Sequence, residues 1–173
     1  MRSGDDLLCA SCSYTAPDQD GVYNLLPSRA RADLYPGDRD DIIDFSLPGH
    51  ETKLRSGWYE LDGVYGGKYR WMGGEASAQL RPIGSGQHRL RIRGYAAEAS
   101  FREQAAVRVS FFVNEAPLGE VALRGPGTFI FEAALPAAPD YLVRIQVERT
   151  IRIAGDDRAY GVNFSLIRLV RAE

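Results

Sequence analysis

The stretch "HRLRIRGY", residues 88–95, sets Leu90 and Ile92 between Arg89, Arg91 and Arg93. Successive side chains of a strand leave opposite faces of a sheet, so this period of two sends the aliphatic groups one way and the guanidinium groups the other. The reading is a half-buried strand. The same period recurs on either side. "EASAQL" (75–80) turns Ala76, Ala78 and Leu80 inward; "VRVSFFV" (107–113) does so with Val107, Val109, Phe111 and Val113. "TFIFEAAL" (128–135) offers Phe129, Phe131, Ala133 and Leu135, and "YLVRIQVE" (141–148) offers Val143, Ile145 and Val147. The closing run "GVNFSLIRLV" changes parity at Leu166-Ile167, the mark of a β-bulge. Turn residues punctuate these runs at Gly84-Ser85-Gly86, Asn114 to Gly119, Gly125-Pro126-Gly127, Pro136 to Pro139 and Gly155-Asp156-Asp157.

Seven or eight strands with short connections and no long helical period predict an all-β chain, an antiparallel β-sandwich over residues 52–173. Residues 28–51 are polar, contain Pro36 and Pro48, and read as a linker with one short helical turn at 39–45. Residues 1–27 read as a small β-hairpin cap: Asp20-Gly21 is a hairpin-turn pair that would bring the segment around Cys9 against "VYNLL".

Composition removes several classes of function. The 173 residues carry a formal charge of −2, so no general attraction to a phosphate backbone, and hence no nucleic-acid partner, is expected. Of the 21 basic residues only Lys53 and Lys68 are lysine. "MRSGDDLL" has no basic-plus-apolar leader and no apolar run approaches the ~20 residues of a membrane span, so the expected location is cytoplasmic, away from membranes. No GxSxG, HExxH or GxxxxGK[ST] pattern is present, which argues against an enzyme of the common nucleophile, zinc-protease or phosphate-loop types.

Cys9 and Cys12 are the candidate metal ligands, at the spacing of half a zinc site. Structural zinc needs four ligands, and only His50 and His88 remain to complete the set. The segment is therefore read as a metal-free hairpin packed through Val22, Leu25 and Leu26, with no cofactor expected and zinc as the minor alternative. The acids Asp38, Asp40, Asp41 and Asp44 could offer calcium its hard oxygen ligands, but they lack EF-hand spacing and read as solvated or capping groups.

The aromatics Trp58, Tyr59, Tyr65, Tyr69, Trp71 and Tyr95 gather early in the sandwich region. A flat ring face stacks on the apolar face of a sugar while neighbouring amide or charged groups bond its hydroxyls. Trp58, Tyr59, Tyr69, Trp71 and Tyr95 are accordingly the candidate ligand-binding residues, although Trp58 and Trp71 equally suit a core. The outward arginines Arg89, Arg91, Arg93, Arg108, Arg144, Arg152 and Arg168 read as a solvated face with Glu and Gln neighbours.

Two resemblances add to this. Cys9, Cys12 and "DGVYNLLP" resemble the zinc-ribbon-like segment of the Trm112-like family over about 20 residues, without its second cysteine pair. "GWYELDG", "YRWMGGEASAQLRP", "VSFFVNEAPLGEVALRGPGTFIFEAALP" and "YGVNFSLIRL" resemble galactose-binding-like jelly-roll domains of the carbohydrate-binding-module type. That resemblance implies a non-catalytic module whose partner is a carbohydrate or a glycan-processing protein. The alternative is a structural or protein-interaction module forming a homo-oligomer without binding sugar.

Overall fold

The computed structural model describes residues 2–3, 6–9, 14–16, 18–19, 22–23, 39–63, 67–102 and 104–172. The chain divides into two compact units, Met1–Gly37 and Asp38–Glu173.

In the first unit, β1 (Arg2–Ser3), β2 (Asp6–Leu8) and β3 (Thr15–Ala16) form one small antiparallel sheet, and β4 (Asp18–Gln19) pairs with β5 (Val22–Tyr23) in another. Gln19 pairs with Val22, and the turn pair Asp20-Gly21 lies outside the described residues. The partner of the Cys9 segment differs from expectation. β2 pairs with β3, and the Cys9 amide donates to the Tyr14 carbonyl at 2.8 Å; among the described residues, Val22 and Tyr23 of "VYNLL" pair with β4 instead. Cys12, Leu25 and Leu26 lie outside the described residues, and the zinc-ribbon likeness finds no support here.

The second unit is an antiparallel β-sandwich of jelly-roll type. Its first sheet contains β6 (Ile42–Asp44), β7 (Trp58–Asp62), β8 (Tyr69–Met72), β10 (His88–Ala96), β13 (Gly127–Ala134) and β17 (Asn163–Arg171). The second contains β9 (Glu75–Leu80), β11 (Val107–Val113), β12 (Ala116–Leu123) and β14 (Tyr141–Val147), in the order β12-β11-β14-β9. The chain passes back and forth between the sheets from β8 to β17. A short ribbon of β15 (Ile151–Arg152) and β16 (Ala159–Tyr160) precedes β17.

Alternation is realised strand by strand. β10 is buried and exposed by turns along its whole length, and Leu90 and Ile92 are fully enclosed. Ala76, Ala78, Leu80, Val109, Phe111, Val143 and Ile145 meet them from the second sheet. Phe111 and Phe131 stack across the interior with centroids 4.0 Å apart, joining β11 to β13. Gly94 is required by close approach: a Cβ there would lie 2.5 Å from the Phe129 ring and 2.9 Å from that of Phe164.

Two elements depart from the sequence reading. Residues 42–44 are a strand rather than a helical turn, because β17 offers them an open edge: Leu166, Ile167 and Arg168 pair with Asp44, Ile43 and Ile42. Residues 39–51 are thus part of the sandwich unit rather than a linker, and Ile43 and Phe45 are fully buried in it. The bulge in β17 falls at Ser165. Arg93 pairs with Leu166 and Gly94 with Phe164, leaving Ser165 as the extra residue and allowing both Phe164 and Ile167 to face the core. Among the described residues, no helix is long and apolar enough to cross a membrane.

Candidate functional site

The site forms where β17 changes neighbours. Along one edge β17 pairs with β10 throughout; along the other, Asn163 and Phe164 pair with β8, while Leu166 to Arg168 pair with β6. The bulged Ser165 sits at this split, its carbonyl accepting from the Phe45 amide at 3.2 Å. Above the split the outer face of the sheet opens into a cleft of about 600 Å³.

Register determines what lines it. Asn163 stands opposite Trp71 of β8 on one side and Tyr95 of β10 on the other, and Tyr95 stands opposite Thr128 of β13. All four line the cleft, a row crossing four adjacent strands. Strands are about 4.8 Å apart, so Trp71 and Tyr95 flank Asn163 at a backbone spacing of about 10 Å. That spacing accepts a ring-sized ligand between two aromatic side chains with an amide beneath it.

Asn163 is 5% exposed, and its side-chain amide has no hydrogen-bond partner among the described residues. A buried amide normally has its partners, so one that meets a cleft without them is a poised donor and acceptor. Trp71 is half-buried and held edge-on by Tyr69 (6.4 Å between centroids) and Tyr160 (5.5 Å). Tyr95 is 41% exposed, large for an aromatic side chain on a well-ordered strand. Burial, and then the charge of Asp62 beside it, raises the Tyr69 phenol above its ordinary value, so it remains a neutral hydroxyl donor.

Two cations complete the lining, Lys68 and Arg93. Arg89 and Arg91, on the same face of β10, share Glu132 at 2.9 and 3.9 Å. Arg93 stands opposite Ile130 and Leu166 and instead donates from Nε to Ser165 Oγ at 2.8 Å. The expected solvated arginine face is seen elsewhere: Arg108 pairs with Glu120 and Glu148, and Arg144 with Glu75 and Glu115.

Of the five sequence candidates, the structure gathers Tyr69, Trp71 and Tyr95 into one cleft. Trp58 and Tyr59 stand apart from it. Trp58 packs against Phe45 and Phe164 and donates its indole N–H to the Ser77 carbonyl at 2.7 Å, which makes it a brace between the sheets. Tyr59 donates its hydroxyl to the Ala159 carbonyl at 2.8 Å and lies against Tyr160. Tyr65 lies outside the described residues. Asn163, Arg93, Lys68 and Thr128 were not singled out as ligand residues, because sequence spacing does not reveal which strands are neighbours.

For metals, no group of three or more His, Cys, Asp or Glu side chains is disposed to hold an ion among the described residues. Asp41 is instead engaged by Arg39 at 2.9 Å, and Asp44 accepts the Ser46 amide at 2.9 Å; Asp38 lies outside the described residues.

No protein-family model and no curated protein sequence matches the chain. Solved structures do. A CBM36-1 domain of a multidomain xylanase from the hindgut metagenome of Trinervitermes trinervoides is similar at 14% identity and TM-score 0.45, over 76% of this chain and 97% of that one. A carbohydrate-binding module, CBM6cm-2, from Cellvibrio mixtus lichenase 5A, solved with cellotriose, matches at 15% identity and TM-score 0.45 over the same shares. A family 35 carbohydrate-binding module from Clostridium thermocellum matches at 16% identity and TM-score 0.46, over 75% and 98%.

Proposed function

We propose that the sandwich is a non-catalytic carbohydrate-binding module whose site is the cleft on β8, β17, β10 and β13. The observation that carries this reading is the row Trp71, Asn163, Tyr95, in which a buried residue whose amide has no partner among the described residues lies between two aromatic side chains on one sheet face. A pyranose presents an apolar face to an aromatic ring and hydroxyls at its rim, and this row answers both demands at one ring's width.

The test is calorimetric titration of the purified chain with a panel of oligosaccharides. Trp71→Ala, Tyr95→Ala and Asn163→Ala are each expected to weaken the best ligand about tenfold or more, the scale of one lost stacking or hydrogen-bond contact. Tyr59→Phe, away from the cleft, is expected to leave affinity unchanged. A dimer that buries Trp71 and Tyr95 at its interface and binds no sugar would overturn the proposal in favour of an assembly module.

A further inference from the structure

A second concavity, of about 490 Å³, lies between the segment after β10 and the segment joining β14 to β15. The first contributes Ala99 and Ser100 of the 3-10 helix Glu98–Phe101, with Arg102 and Gln104; the second contributes Arg149 and Thr150, followed by Ile151 and Arg152 of β15. Three arginines therefore line one space in a chain whose formal charge is −2.

These arginines differ from four on the sandwich sheets. Arg89, Arg91, Arg108 and Arg144 each have a carboxylate partner. Arg102, Arg149 and Arg152 are exposed and have none among the described residues. Of the nearest acids in sequence, Glu148 is turned toward Arg108 at 3.8 Å, Glu98 forms no ion pair among the described residues, and Glu103 lies outside them. The described lining contains no carboxylate. Like charges gathered in a concavity repel one another unless an anion neutralises them, and the planar guanidinium fork matches the oxygens of a phosphate, sulfate or carboxylate.

Ser100 supplies an independent observation. It lines the same space, is 4% exposed, and its Oγ is buried without a hydrogen-bond partner among the described residues. Buried hydroxyls are nearly always satisfied, so an orphan lining the same space as three arginines that have no carboxylate partner among the described residues marks a place where a partner group belongs. Thr150 adds a further hydroxyl and Ile151 an apolar wall. The volume exceeds that of a single small ion and falls in the range of small-molecule sites.

We propose that this concavity is a second binding site, one that takes an oxyanion, either free or carried as a phosphate ester, sulfate ester or carboxylate on a sugar-sized molecule. Arg102, Arg149 and Arg152 grip the anionic oxygens, and the Ser100 and Thr150 hydroxyls complete the cage. The proposal does not depend on the function assigned to the aromatic cleft.

The test titrates the full chain with inorganic phosphate, inorganic sulfate, glucuronate, a sulfated disaccharide and the same disaccharide unsulfated, at low and at moderate sodium chloride. Saturable binding of the anionic probes is expected, weakened by salt and absent for the neutral sugar. The triple variant Arg102→Gln, Arg149→Gln, Arg152→Gln, checked for an unchanged melting curve, is expected to lose at least about tenfold in affinity. Tighter binding of the sulfated or carboxylated sugar than of the free ions assigns the whole volume to a glycan substituent; equal binding assigns it to a free anion, and both support the site. Absence of saturable anion binding overturns it, as does an affinity unchanged in the triple variant. So does an anion affinity that disappears in Trp71→Ala while the triple variant retains it, which would place the anion in the aromatic cleft.

Discussion

Tyr160 ties an exposed ion pair to the aromatic cleft. Its ring touches Trp71, and its hydroxyl donates to Asp156 Oδ2 at 2.5 Å while Arg158 donates to the same carboxylate at 2.6 Å. The Arg158 guanidinium also lies over the Tyr59 and Tyr160 rings, 5.4 and 5.2 Å from their centroids. Arg158 first, and then Tyr160, hold the Asp156 carboxyl far below the usual carboxylate range, and the same bond raises the Tyr160 phenol. For a depressed carboxylate the linkage has one sign: its contribution to stability is full above the unfolded value of about 4 and is lost as pH falls through the lower folded value. The stability difference between the native chain and Asp156→Asn is therefore expected to shrink as pH is lowered below about 4. An NMR titration should show the Asp156 carboxyl moving toward its ordinary value in Tyr160→Phe. A native Asp156 that titrates at the usual value would refute this account of how Trp71 is supported.

Among the elements, the β11–β12 hairpin shows a demanding local conformation met by residue choice. Asn114 and Glu115 both take positive φ, 47° and 67°, the pattern of the two-residue hairpin turn whose twist matches its strands. Asn tolerates that region, and here its side chain also accepts the Leu142 amide at 2.8 Å and donates to the Asp140 carbonyl at 3.2 Å. Asn114→Ala loses both bonds and the conformational tolerance, and is expected to destabilise the sandwich by about 2 kcal/mol in chemical denaturation, with glycan affinity unchanged. The turn and the alternating strands around it were legible because each is specified within a dozen residues. β6 was not, since "IID" is three residues with no alternation and becomes a strand only against the open edge of β17. The bulge was legible to within a residue: the parity change at Leu166-Ile167 announces it, and the pairing with β10 places it at Ser165.

At the scale of the molecule, the described hydrophobic core belongs to the second unit. Every member of the main cluster lies at or after Ile43, and the Phe111–Phe131 stack joins its two sheets. Residues 38–173 expressed alone are expected to unfold in one cooperative transition and to bind the same oligosaccharide as the full chain, within about twofold. Loss of cooperativity in that fragment would show that the first unit is needed for the sandwich to fold.

Periodicity by itself determined that the chain after Trp58 is β, which faces of its strands are apolar, and where most turns fall, because each of these is set by neighbours in sequence. It also named Tyr69, Trp71 and Tyr95 together with Trp58 and Tyr59, because all five gather early in the sandwich sequence, but not which of them share a cleft. Tertiary structure alone decided that Trp58 braces the sheets, that Asn163 stands between Trp71 and Tyr95, and that Arg93 meets Ser165 while its strand-mates Arg89 and Arg91 share Glu132. The reason is physical: strand order and register join residues far apart in sequence, such as Trp71 with Asn163 and Ile42 with Arg168, and no local pattern encodes which strand will lie beside which.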